Sequence, residues 1–254
     1  MEKEDFEKKE DFLKVDYAEI ENFVSQHEEE YNALMDRFIG GDETLTKEEL
    51  KLIYYGTAFS PNYSLLNDEG ISDEILNAIC SRDFGHAIIL CGQALEKTPT
   101  NLQILSLAYT PALYLSRRNY VRKRMRQASE NFMKNMGAEE EVKTAPAPIQ
   151  LNRWEKLYDR KIEQIKDMIL STGDGSSLER AYKVTSVSDE YFILNSLGIK
   201  AVQQSLVENN DKSYDIIRDS NSDRTVYFDV TLHMKALNEL IDADEEGECP
   251  DGQL

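Results

Sequence analysis

The chain has 254 residues, 48 of them acidic and 29 basic, for a formal net charge of -19 at pH 7. That charge repels nucleic acid except where basic residues are gathered locally, and no window approaches the roughly 18 apolar residues of a membrane-crossing helix. The length supports a sizeable core in one or two domains.

Acid is concentrated at the ends. Residues 1–50 hold 17 acids and 6 bases, and residues 239–254 hold 7 acids and no base. Such runs read as solvated faces or frayed ends, not as metal sites. Residues 1–15 are expected to be a loose charged segment and residues 242–254 an acidic disordered tail. The first twenty residues lack a basic start followed by an apolar run, so no signal peptide is read here and a cytoplasmic protein is expected.

From Asp16 a helix is predicted, with Tyr17, Ile20, Phe23 and Val24 on one face and Tyr31, Leu34, Met35 and Phe38 continuing the spacing to Gly40 and Gly41. Thr46 with Glu49 three residues on is a capping box ahead of Leu50, Ile53 and Tyr54. Tyr54 and Tyr55 are adjacent and cannot share a narrow helical stripe, so they read as a core-and-rim pair or as one core residue and one groove residue.

Phe84, Ala87, Cys91, Ala94 and Pro99 fall at offsets 0, 3, 7, 10 and 15, the spacing of the second helix of a tetratricopeptide repeat. Ile75, Leu76 and Ile79 supply a first helix. Asn101 opens another, in which Pro111 is expected to kink or restart the helix at Tyr109. Val121, Met125, Ala128, Phe132 and Met136 carry the last long helix to Gly137. Within it Arg117, Arg118, Arg122, Lys123, Arg124 and Arg126 form a basic run without an acid. This run fits either contact with an anionic partner or contact with the protein's own acidic surface.

GAEEEVKTAPAPIQ, ending at Gln150, reads as a linker over residues 138–150. Trp154, Tyr158, Ile162, Ile165 and Ile169 then form a helical stripe with Trp154 as a core anchor. Gly173-Asp174-Gly175 is a tight turn. Residues 181–187 read as a strand and Ser188 as the N-cap of a short helix, with Asp189 and Glu190 in its first turn where the helix dipole favours acids. Ile199–Val207, Ser213–Arg218 and Thr225–Val230 are strands joined by short turns, hence antiparallel. Thr231 caps a final helix carrying Met234, Leu237, Leu240 and Ile241.

The predicted fold is mainly α with a C-terminal α+β part. Paired antiparallel helices, a tetratricopeptide-like hairpin, occupy a helical domain at 16–137. A small antiparallel sheet of about four strands covered by helices occupies an α+β domain at 151–241.

The segments LTKEELKLIYYG (45–56), TGDGSSLERAYKVTSVSDEYFILNSLG (172–198), QSLV (204–207) and VYFDV (226–230) resemble an uncharacterised family of Bacteroidetes proteins, domain of unknown function 4919. The resemblance covers the chain from about residue 16. It implies no activity, substrate or partner for these residues, and it implies export for many members.

No catalytic motif assembles. His27, His86 and His233 are far apart without zinc spacing, and there is no nucleophile elbow or phosphate-binding glycine loop. Cys80, Cys91 and Cys249 have no disulfide or metal spacing, and Cys80 and Cys91 read as core thiols. No cofactor is expected. The function expected is a non-catalytic protein-binding or adaptor protein with an unidentified protein partner. Its candidate contacts are Tyr54, Tyr55, Tyr109, Tyr114, Arg117, Arg118, Arg122 and Arg124. The alternative is a hydrolase-like enzyme using the carboxylates Asp174, Asp189 and Glu190.

Overall fold

In the computed structural model, residues 12–65, 69–137 and 154–247 are described. The expected linker at 138–150, Cys249 and most of the expected charged N-terminal segment and acidic tail lie outside them. Contacts divide the chain into two compact units, Met1–Asn67 with Glu163–Leu254, and Asp68–Ile162.

In the first unit, α1 (Tyr17–Gln26), α2 (Glu28–Gly40) and α3 (Lys47–Gly56) pack on one another. Asp16 caps α1 by accepting the Ala18 and Glu19 N–H groups. Gly41 closes α2 in the left-handed region, at φ 77°. The Thr46–Glu49 capping box at α3 has both of its reciprocal bonds. Ile20, Val24, Tyr31, Met35, Phe38 and Ile53 are buried between the three helices.

The sheet of this unit is small and mixed, and helices cover it. Its strands are β1 (Tyr182–Lys183), β2 (Ala201–Asn209), β3 (Lys212–Asp219) and β4 (Thr225–Asp229), in the order β1-β4-β3-β2. β2, β3 and β4 form an antiparallel meander. Asn210 and Asp211 make the two-residue turn between β2 and β3, both at positive φ as a primed hairpin turn requires.

The all-antiparallel expectation fails at β1, which pairs parallel with β4. The chain leaves β1 through helix α8 (Val187–Ser196) and the meander before β4 returns beside it, and such a crossover brings strands together in parallel. β1 has only two residues, because Ser186 already caps α8 by accepting the Asp189 N–H. Ser188, expected as the cap, lies inside the helix. Helix α9 (Thr231–Gly247) packs on β3.

In the second unit, α4 (Glu69–Cys80), α5 (Phe84–Lys97) and α6 (Leu102–Gly137) pack together. Ile75, Ala78, Ala87, Cys91, Ala94, Ile104 and Ala108 form their core. Asn101 starts α6 by accepting the Ile104 N–H. α6 runs through Pro111 without a break, against expectation. Proline deletes one N–H donor, and burial of Ala108 and Ala112 at 0 % exposure holds the helix around it. Cys80, expected in the core, is exposed, whereas Cys91 is buried and its thiol is pushed up to about 12 by that burial.

Helix α7 (Trp154–Leu170) holds the division between the units, at Ile162 and Glu163. Ile162, Ile165 and Ile169 are buried as their spacing predicts, and Met168 is buried with them, but Trp154 is 47 % exposed and is not a core anchor.

Candidate functional site

Two of the long segments singled out in the sequence meet in the first unit. The paired tyrosines of α3 close over the β1–α8 connection. Tyr54 and Tyr55 are each 0 % exposed, with rings edge-on and centroids 4.9 Å apart. Both lie inside, so neither is rim nor groove wall.

Tyr54 makes the central contact. Its hydroxyl donates to Asp189 Oδ2 at 2.6 Å and accepts the Thr185 N–H at 3.0 Å. Thr185 Oγ1 also reaches Asp189 Oδ2, at 3.4 Å. Asp189 is thus a buried carboxylate held at a helix N-terminus, where the dipole favours its charge. Burial first, and Asp189 next, push the Tyr54 hydroxyl far above its ordinary pKa, so it remains a donor. The Tyr55 hydroxyl donates to the Lys183 carbonyl at 2.9 Å.

One residue further along α8, Glu190 is also 0 % exposed. Neither of its carboxyl oxygens has a described donor to accept from, and its hydrogen-bonding neighbour is Asp215 of β3. Two carboxyl groups can share a hydrogen bond only when one carries a proton. Burial, then Asp215 and Asp189, push the Glu190 carboxyl up to about 9, so Glu190 holds it. Asp215 Oδ2 accepts from Gln204 Nε2 at 2.6 Å, and the Tyr191 hydroxyl donates to Gln204 Oε1 at 3.0 Å. The result is a chain of bonds from the Asp215 carboxylate through an amide to an exposed phenol, with the neutral Glu190 carboxyl beside it. His233 of α9 stands near Asp215. Burial lowers its pKa against the pull of that carboxylate, and its buried Nδ1 has no described partner.

A second polar group surrounds Asp229, 1 % exposed at the end of β4. Asp229 accepts the Thr231 N–H and hydroxyl and pairs with Lys212 at 3.3 Å. The Tyr17 hydroxyl is buried nearby and is raised first by that burial and then by Asp229. Burial lowers the Lys183 ammonium, which donates to the Thr172 carbonyl at 3.2 Å.

Asp174 does not join Asp189 and Glu190. It accepts the Ser176 N–H and hydroxyl in the Gly173–Gly175 turn and pairs with Arg180 at 2.5 Å. Burial alone would raise its carboxyl, but the Ser176 bonds and the Arg180 charge outweigh it and hold the pKa below the ordinary value.

The remaining candidates belong to α6 of the second unit. Tyr109 is half-buried. Tyr114 is 48 % exposed and tilts against Phe84, ring centroids 4.3 Å apart. Arg117, Arg118 and Arg122 are exposed; Arg124 lies in the same helix, its side chain outside the described set. Val121 and Met125, which sequence reading placed on the helix stripe without a contact role, are 47 % and 68 % exposed. At helical spacing they align with Tyr114, so an apolar line runs between the arginines.

Among the described residues no group of three or more His, Cys, Asp or Glu side chains is placed to hold a metal ion. No described helix is long and apolar enough to cross a membrane. A cleft of about 320 Å³ is lined by Phe23, His27, Lys51 and their neighbours on α1 and α3, and it does not reach Asp189 or Glu190.

An α+β chain with a small helix-covered sheet and a buried tyrosine–carboxylate network is the class of protein these observations define. The chain belongs to the family described as Domain of unknown function (DUF4919), which it matches over residues 18–145 and 149–239. That family is uncharacterised. Comparisons with curated proteins and with solved structures give no match.

Proposed function

We propose that the protein is a non-catalytic protein-binding or adaptor protein, and that the exposed face of α6 receives an acidic, amphipathic segment of a partner protein. The observation carrying this reading is the line Tyr114–Val121–Met125, apolar and open to solvent, bordered by Arg117, Arg118 and Arg122. In a chain of net charge -19, basic side chains gathered around exposed apolar ones favour an acidic partner with an apolar stripe. Nucleic acid is disfavoured by the field of the whole chain.

The α4–α5 pair supports the reading as a tetratricopeptide-like hairpin. Small residues Ala87, Cys91 and Ala94 are buried at the spacing that lets two helices approach closely. The carboxylate alternative is weaker, because an acid–base group must reach its substrate, and Asp189 and Glu190 are 1 % and 0 % exposed.

The test is affinity capture from cell lysate with the wild type and with Arg118→Glu/Arg122→Glu, at low and high salt. Capture by the wild type that falls at high salt and in the double variant, with unchanged melting temperature, is expected. Equal capture by both proteins overturns the assignment of this face.

A further inference from the structure

β2 ends the sheet on one side, and among the described residues nothing pairs with its outer edge. Its backbone directions follow from the hairpin. Asn209 opposite Lys212 closes a two-residue turn, so Asn209, Val207, Ser205 and Gln203 direct their peptide groups toward β3. The other side of β3 is consistent with this alternation: Ser213 accepts the Val230 N–H and Asp219 donates to the Arg224 carbonyl, both away from β2. The N–H and C=O groups of Gln204, Leu206 and Glu208 therefore point outward.

This edge lacks the protections that sheet edges ordinarily carry. It is nine residues long, and contains no proline and no lysine. Its bulge lies at the beginning, at Val202 between Ala201 and Gln203, and so leaves residues 203–209 straight. Val202, Leu206 and Val207 are 63 %, 48 % and 37 % exposed, beside Tyr191 at 42 %. In a chain with 30 % charged residues, Glu208 is the only charge on this strand.

We propose that β2 pairs antiparallel with β2 of a second copy of this chain, about a two-fold axis at Leu206, joining the two sheets. The strand is self-complementary in that register. Antiparallel pairing sets outward-pointing residues opposite outward ones and inward opposite inward, and only an axis at Leu206 sets all three of Gln204, Leu206 and Glu208 opposite one another within the straight stretch. At Leu206 the pairs are Leu206–Leu206, Gln204–Glu208 and Glu208–Gln204, which exchange about six backbone hydrogen bonds. The two glutamates are then each opposite an amide and not opposite one another. An axis at Gln204 would bring the bulged Val202 into the pairing. An axis at Glu208 would place like charges face to face. This surface is independent of the α6 face, and it responds oppositely to salt: two chains of charge -19 repel, so added salt strengthens their pairing.

Analytical ultracentrifugation of the whole chain over a range of concentrations, at low and moderate salt, provides the test, with Leu206→Lys as the variant. The wild type is expected to reach twice the 29.2 kDa chain mass as concentration and salt rise, and Leu206→Lys to remain at the single-chain mass. A wild type that stays at the single-chain mass overturns the proposal, as does a double-mass species that Leu206→Lys leaves intact. Hydrogen exchange of the wild type tests the register without a variant. Slowed exchange at the amides of Gln204, Leu206 and Glu208 with rising concentration supports it, and unchanged exchange there refutes it.

Discussion

Replacing Glu190 by glutamine keeps the side chain's shape and gives it an amide that can donate to Asp215. The wild-type carboxyl holds its proton in the folded state up to about pH 9. In the unfolded chain it ionises near the ordinary value of about 4.3. Between these values the folded state binds the extra proton. The stability is therefore complete below the ordinary carboxylate pKa and is lost as pH rises toward about 9. The slope is at most about 1.4 kcal/mol per pH unit.

Across pH 6.5 to 8 the loss sums to about 2 kcal/mol, a fall of about 4–8 °C in melting temperature for a chain of this size. The window starts at the ordinary histidine pKa of about 6.5 because His233, its pKa lowered by burial, acts in the opposite sense below it. The window closes at pH 8 because Lys161, pushed down to about 8 by burial, acts in the opposite sense above that value. Thermal melts of wild type and Glu190→Gln should diverge steadily across this range, the variant declining less. Parallel curves would show that the proton does not reside on Glu190.

Tyr54→Phe removes the short donor to the buried Asp189 carboxylate and the acceptor of the buried Thr185 N–H. A loss of about 3 kcal/mol in denaturant unfolding is expected, and a loss near zero would mean that water replaces the hydroxyl. Gly175 and Gly198 sit at nearly the same positive φ, 69° and 70°, but a Cβ at Gly175 would stand 2.7 Å from Tyr182 Cε2 while one at Gly198 meets nothing within 4 Å. Gly198→Ala should cost about 1 kcal/mol from backbone conformation, and Gly175→Ala about 3 kcal/mol because the clash adds to it. Equal costs in chemical denaturation would remove the packing contribution.

Local signals were legible in the sequence wherever the chemistry is local. Asp16, Thr46 and Asn101 cap their helices because an oxygen a few atoms away meets an unpaired N–H, whatever surrounds it. Gly41 ends α2 and Asn210–Asp211 turns the hairpin for the same reason, since backbone conformation is set within a few residues. The helical content, the antiparallel meander and the family were readable at this range too.

Tertiary structure decided what each side chain faces. Asp189 and Glu190 have the sequence signature of solvated first-turn acids, and only the approach of α3 and β3 buries them and leaves one neutral. Tyr54 and Tyr55 violate a single helical stripe, yet both are buried because α3 is covered over a wide arc. Trp154 fits its stripe and is exposed. β1 is parallel because of where the chain returns after α8, a choice made across more than forty residues. Caps and turns need only their neighbours in the chain, whereas burial and strand direction depend on partners that the sequence brings together only by folding.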